Sequence, residues 1–126
     1  MFTVTFPGGV AVDARIREHV IHTDQPPSDG GADLAPSPFE LFLASLAACA
    51  GFYALRFCQE RQIPTEGLAV TLDHEREKGR LTNVRLDVTL PAEFPEKYRA
   101  AILRAVDHCA VKRALVDSPA FDIRIG

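Results

Sequence analysis

From Leu41 to Leu55 the chain runs through fifteen residues that are all apolar or small except Ser45, and none is charged. Leucine and alanine dominate and no β-branched residue interrupts them, so the segment reads as helix rather than strand. Its start is marked. Ser37 stands at the N-cap, Pro38 fits the first helical position, and Glu40 follows three residues after the cap. That is the S-x-x-E pattern of a capping box. Pro64 places the end near Gln62. A surface helix shows one apolar stripe; this one is apolar around its circumference and should be buried on most sides. Fifteen residues fall short of the ~20 that a bilayer span needs, so the reading is a central core helix and no membrane partner.

The flanks supply candidate cover. Phe2, Val4 and Phe6 alternate with threonines, Pro7-Gly8-Gly9 turns the chain, and Val10, Val12 and Ala14 continue the alternation. His19 to Thr23 reads as a third strand. Asp24 to Ser37 is rich in Pro, Gly and Asp and has no period. A loop of that length is either functional, as a lid or crossing segment, or a plain flexible connector. After the helix, Leu68, Val70 and Leu72 alternate, the charged run HEREKGR reads as a hairpin tip, and Val84, Leu86, Val88 and Leu90 alternate again. A second helix begins near Pro95, with Tyr98, Ile102, Ala105 and Val106 as its apolar stripe. Cys109 continues that stripe. The segment VKRALVD reads as a further short helix, and Phe121, Ile123 and Ile125 as a last strand.

Strands, helix, strands, helix and strand in this order define an α+β plan in a single domain, residues 1–126. One small sheet and one further helix give little cover for a helix apolar on all sides. A second copy of the chain would complete it, so a homodimer is expected. The formal charge is −3 with no basic run, which excludes nucleic acid and anionic membranes as natural partners. The N-terminus alternates rather than forming an export signal, and three cysteines suit a reducing cytoplasm.

The chemistry rests on the cysteines. Cys49 and Cys109 lie on apolar helical faces, sixty residues apart. Buried cysteines often pack as small hydrophobes. The sharper reading is a thiol pair, one attacking and one resolving. In a small domain the two apolar faces must meet, which puts the two Cα atoms within about 7 Å. A reactive cysteine needs a thiolate. Cys49 is about three turns into its helix, too deep to use that helix's own dipole. A cation would have to supply the field, and Arg15, Arg17, His19, His108 and Arg113 are available. Cys58 is nine residues beyond Cys49, about 13 Å along the helix and turned nearly to the other side. It reads as structural. No CxxC or HExxH spacing points to zinc, no GxSxG to a serine hydrolase, and no GxGxxG or P-loop to a nucleotide.

These pieces in their order resemble the OsmC/Ohr family, in its OsmC-like branch. The loop with DQP and GG, the segment SPFELFLASLAAC, and HCAVKRAL about sixty residues later carry the likeness over nearly the whole chain. The resemblance implies an antiparallel sheet packed on a long central helix and a second cysteine-bearing helix, in an intertwined homodimer with two active sites at the subunit interface. It implies thiol-dependent reduction of organic hydroperoxides in an oxidative stress response, with no cofactor. In that scheme Cys49 is the peroxidatic nucleophile, Cys109 resolves its sulfenic acid as a disulfide, and a dithiol reductant returns the electrons. The characterised peroxidases carry a glutamate ten residues before the first cysteine; here Phe39 holds that position and Glu40 follows it. The family's arginine comes from the N-terminal strand region, where Gly8-Gly9 stand and Arg15 and Arg17 follow, with Arg17 the candidate. The competing reading is a non-catalytic OsmC-like dimer that binds a small apolar ligand.

Overall fold

The capping box is in place: the Ser37 N–H donates to Glu40 Oε1 at 3.0 Å, and the Glu40 N–H donates to Ser37 Oγ at 3.2 Å. From it runs α1, Pro38–Glu60, in a computed structural model that describes residues 1–126. The helix stops two residues before the expected end. Gln62 takes a left-handed φ of 57°, and the Ile63 N–H closes on the Cys58 carbonyl at 2.9 Å.

α1 buries one stripe: Leu43, Leu46, Ala50, Ala54, Phe57 and Cys58. The rest of its circumference is not covered within one chain. Phe52 stays 55% exposed and Leu55 lies at the surface, because a single chain has no element to lay over that face. At 23 residues α1 passes a length and composition test for crossing a bilayer. Its stripe packs into a hydrophobic cluster, and Arg56 and Glu60 pair at 3.4 Å in its last turns, as in the core helix of a globular protein.

Two compact units divide within α1, Met1–Ala44 and Ser45–Gly126. The first holds an antiparallel meander in the order β1-β2-β3: Thr3–Gly8, Ala11–Ile16 and His19–Thr23. Arg17, at φ 51°, turns β2 into β3. Val4 and Phe6 on β1 remain exposed, so the half-buried strand expected from their alternation is half-formed, paired but uncovered.

The loop after β3 is ordered around one carboxylate. Asp24 is 4% exposed and accepts the N–H groups of Gln25 (2.8 Å), Leu34 (3.2 Å) and Ala32 (3.3 Å). Its own N–H donates to the Pro36 carbonyl at 3.2 Å, and the Asp33 N–H donates to the Gln25 carbonyl at 3.0 Å. The loop therefore closes on itself, as compact surface loops do. Gly31 is required by proximity: a Cβ there would stand 1.8 Å from the Gln25 oxygen. The flexible-connector reading of this segment does not hold.

The second unit holds the hairpin β4 (Ala69–Glu77) and β5 (Arg80–Thr89). The expected charged tip shrinks to Lys78-Gly79, both at positive φ, the two-residue turn that matches strand twist. His74 to Glu77 stay paired with β5, across a bulge between Glu75 and Arg76, because the backbone ladder continues regardless of side-chain charge. Val70, Leu86 and Val88 face a cluster of Ala50, Ala54, Phe57, Cys58, Phe94, Ile102 and Val106. A short 3-10 turn, Glu96–Tyr98, leads into α2, Arg99–Asp107, which buries Ile102 and Val106; α3 is Ala110–Val116. Phe57 stacks edge-on against Tyr98, and the Arg61 guanidinium lies 3.6 Å over the Phe57 ring. The last expected strand is a second correction. Residues 117–126 form no strand, and Phe121, Ile123 and Ile125 are 85%, 92% and 103% exposed. Alternation creates a face for a strand, but a strand also needs a neighbouring edge to take its N–H and C=O groups.

Candidate active site

Cys109 lies two residues past the end of α2 rather than on it. The Cys109 N–H still closes on the Val106 carbonyl at 3.1 Å, so the side chain keeps the inward direction of the α2 stripe. It is 1% exposed. Cys109 is also the N-cap of α3, and its carbonyl accepts from the Arg113 N–H at 3.0 Å. The two helices thus meet at this residue.

Cys49, half-buried on α1, is turned toward the same junction. Burial pushes its thiol up. Hydrogen bonds from the Val111 N–H, from the Cys109 thiol and from the Ala110 N–H outweigh that and hold it below its ordinary value. The two N–H groups belong to the first turn of α3, where no intrahelical carbonyl is available to them. Sulfur carrying negative charge fills that vacancy. Cys109 moves the other way. Burial raises it, and the bond it donates to Cys49 raises it further, against backbone N–H groups at Lys112 and Val111 that lower it. Its Sγ also lies 4.0 Å from the Leu46 carbonyl, one turn before Cys49 on α1. Of the two thiols, Cys49 is therefore the first to lose its proton. All three cysteines are free thiols.

Within the second unit, the groups that lower the Cys49 thiol are backbone donors and the second thiol. Sequence reasoning recognised the short helix after Cys109 but not its use. The available signal was position, since a helix starting at the residue after a cysteine presents its unpaired N–H groups beside whatever that cysteine faces. Of the remaining site candidates, Arg17 sits exposed in the β2–β3 turn and Glu40 in the capping box, both in the first unit. Bonds from the Ser37 N–H and hydroxyl hold the Glu40 carboxyl below its usual value. Cys58 is fully buried in the hydrophobic cluster, and burial raises its thiol against the opposing charge of Arg61.

The structure defines an α+β chain in which two cysteines, both free thiols, meet at a helix junction. The family follows from the sequence itself. The model of the OsmC family, described as OsmC-like protein, matches residues 30–124, and the chain belongs to that family. No curated protein sequence matches it. Among solved structures, an OsmC-like protein from Mycoplasma pneumoniae superposes with a TM-score of 0.76 at 17% identity, covering 94% of this chain and 87% of its own. A protein from Psychrobacter arcticus 273-4, described as belonging to an osmotic-stress-induced detoxification response, gives 0.74 at 24% identity over 90% and 85% of the two chains. An organic hydroperoxide resistance protein from Elizabethkingia anophelis gives 0.65 at 23% over 93% and 87%. At these identities the likeness is one of fold.

Proposed function

We propose that the protein is a thiol-dependent peroxidase that reduces organic hydroperoxides. The observation that carries this reading is the juxtaposition of two unequal free thiols, half-buried Cys49 held below its ordinary value and buried Cys109 held above it. Neighbours of the fold named for hydroperoxide resistance support the substrate class. Cys49, as thiolate, attacks the outer peroxide oxygen. The O–O bond breaks, the sulfur becomes a sulfenic acid, and the alkoxide leaves as the alcohol after taking a proton. Cys109 then attacks the Cys49 sulfur. A disulfide forms and the hydroxyl leaves as water with the Cys109 proton. A dithiol reductant restores both thiols by two exchanges and leaves as its own disulfide. No cofactor takes part.

The assembly is read as a homodimer in the cytoplasm. Phe6, Phe52, Phe121 and Ile123 are exposed in the single chain, more apolar surface than a stable monomer displays without cause. The alternating apolar residues at 121–125, which have no strand edge to pair with in one chain, call for one from a second copy. The family match runs across the division at Ala44 and Ser45, which supports reading residues 1–126 as one domain. Glu40 is read as a capping residue, and Arg17 as the candidate for the family's arginine.

A second reading has its own observation. Leu46, Val84, Leu86 and Val106 line a mainly apolar cavity of about 350 Å³ in the second unit, with Asp107 and Lys112 also in its wall. A non-catalytic dimer could hold a small apolar ligand there. Consumption of cumene hydroperoxide with dithiothreitol separates the two. The peroxidase reading expects turnover that Cys49→Ser abolishes; ligand binding alone expects none in either protein.

A further inference from the structure

Beyond the thiols, α1 and α2 bound a cleft of about 360 Å³ lined by Tyr53, Arg56, Glu60, Arg61, Arg104 and His108. Three arginines face one glutamate, so the cleft is positive before His108 is counted. Two of the arginines are engaged. Arg56 pairs with Glu60 across a half-exposed 3.4 Å contact, and Arg61 lies over Phe57 and donates to its carbonyl at 3.2 Å. Arg104, in the last turn of α2, is exposed and takes part in none of the ion pairs of the chain. Its neighbour on α2, Arg99, is by contrast held by Glu96 at 2.7 Å.

The position matters as much as the charge. Tyr53, Arg56 and Glu60 follow Cys49 by four, seven and eleven residues, which places them along one face of α1. Arg56 is therefore about 10 Å along the helix from Cys49. His108, at the other end of the lining, immediately precedes Cys109. The cleft begins where the thiol pair ends.

We propose that this cleft is a carboxylate-binding subsite, with Arg104 as its principal anchor, for a ligand whose other end reaches Cys49. A planar guanidinium without a partner matches a carboxylate in two parallel bonds, and the Arg56 side chain adds field without blocking it. The proposal rests on the thiol-peroxidase reading for what the ligand does, not for its binding. The carboxylate can come from the peroxide or from the thiol that reduces the disulfide.

The binding arm uses the reduced wild-type protein, titrated with octanoate and, separately, with 1-octanol, followed by amide NMR shifts. Octanoate should bind more tightly than 1-octanol, move the amides of α2 around Arg104, and weaken with added salt. Arg104→Gln should lower octanoate affinity about fivefold, the size of a half-exposed ion pair, while Arg99→Gln leaves it unchanged. Equal binding of octanoate and 1-octanol, or equal affinity in wild type and Arg104→Gln, overturns the proposal. The kinetic arm compares linoleate hydroperoxide with cumene hydroperoxide, and 3-mercaptopropionate with 2-mercaptoethanol. Arg104→Gln should raise KM for the charged member of one pair and spare both neutral ones, and the affected pair identifies the source. An effect on neutral and charged members alike would contradict a carboxylate anchor. Absence of all turnover, with Arg104-dependent octanoate binding intact, would overturn the peroxidase reading and leave the subsite standing.

Discussion

Buried Cys109, at the start of α3, and half-buried Cys49, on α1, influence each other's thiols in opposite senses: Cys49 is held below its ordinary value and Cys109 above it. Two cysteines of one kind are thereby made unequal. The half-buried one gives up its proton the more readily, and the buried one keeps it. A nucleophile facing solvent and a resolving thiol behind it need that division of roles.

The pH dependence of alkylation follows from it. Cys49 sits below its ordinary value of 9.0 and Cys109 and Cys58 above it, so iodoacetamide at neutral pH should modify Cys49 first. The rate at Cys49 should fall as pH drops through its lowered value, because the thiolate is lost. Cys109→Ala removes one of three donors and should move that midpoint upward, toward 9.0. Peptide mapping of alkylated protein against pH measures both effects. A midpoint unmoved by Cys109→Ala would show that the backbone N–H groups act alone.

The capping box separates structure from chemistry. Ser37→Ala should lower unfolding free energy by about 1 kcal/mol, the usual cost of a lost N-cap. Glu40 has a carboxyl held below its unfolded value near 4.5. Its contribution is thus present above that value and lost as pH falls through the lower folded one. Urea denaturation of wild type and Glu40→Gln should accordingly differ at neutral pH and converge in acid. Peroxide turnover per folded molecule should survive Glu40→Ala. A drop of orders of magnitude with unchanged melting would assign Glu40 the work of the glutamate that Phe39 replaces.

The loop after β3 should be stiff. Gly31→Ala drives a methyl group into the Gln25 carbonyl and should destabilise by about 1–3 kcal/mol, the range for overpacking. Asp24→Ala leaves the N–H groups of Gln25, Ala32 and Leu34 without their acceptor and should increase their hydrogen exchange. Slow exchange at Leu34 in the wild type and fast exchange in Asp24→Ala is the expected pattern.

The assembly can be tested by sedimentation at micromolar concentration. A dimer is expected, and Phe52→Glu on the exposed face of α1 should weaken it. A monodisperse monomer of the wild type would contradict the homodimer.

The sequence-to-structure comparison divides by the range of the interaction. Local rules placed what local chemistry controls. Ser37, Pro38 and Glu40 started α1, the alternation from Val70 to Val88 made the hairpin, and the sixty-residue spacing of SLAAC and HCAVK carried the family. The misses were all non-local. Phe121 and Ile123 alternate as a strand does, but no pairing edge is written in a nine-residue tail. The face of α1 at Phe52 reads as core because its composition is apolar, although nothing in one chain covers it. The donors to Cys49 are the backbone N–H groups of Val111 and Ala110, which carry no side-chain signature. Only knowledge that Cys49 packs against the start of α3 would have found them.

The most direct test of the central claim is mass spectrometry of the fully reduced protein after one equivalent of an organic hydroperoxide. The expected product is a Cys49–Cys109 disulfide with Cys58 free, stoichiometric alcohol release, and, in Cys109→Ser, a Cys49 sulfenic acid that persists or overoxidises. Three free thiols after exposure, or a bridge through Cys58, would contradict the account.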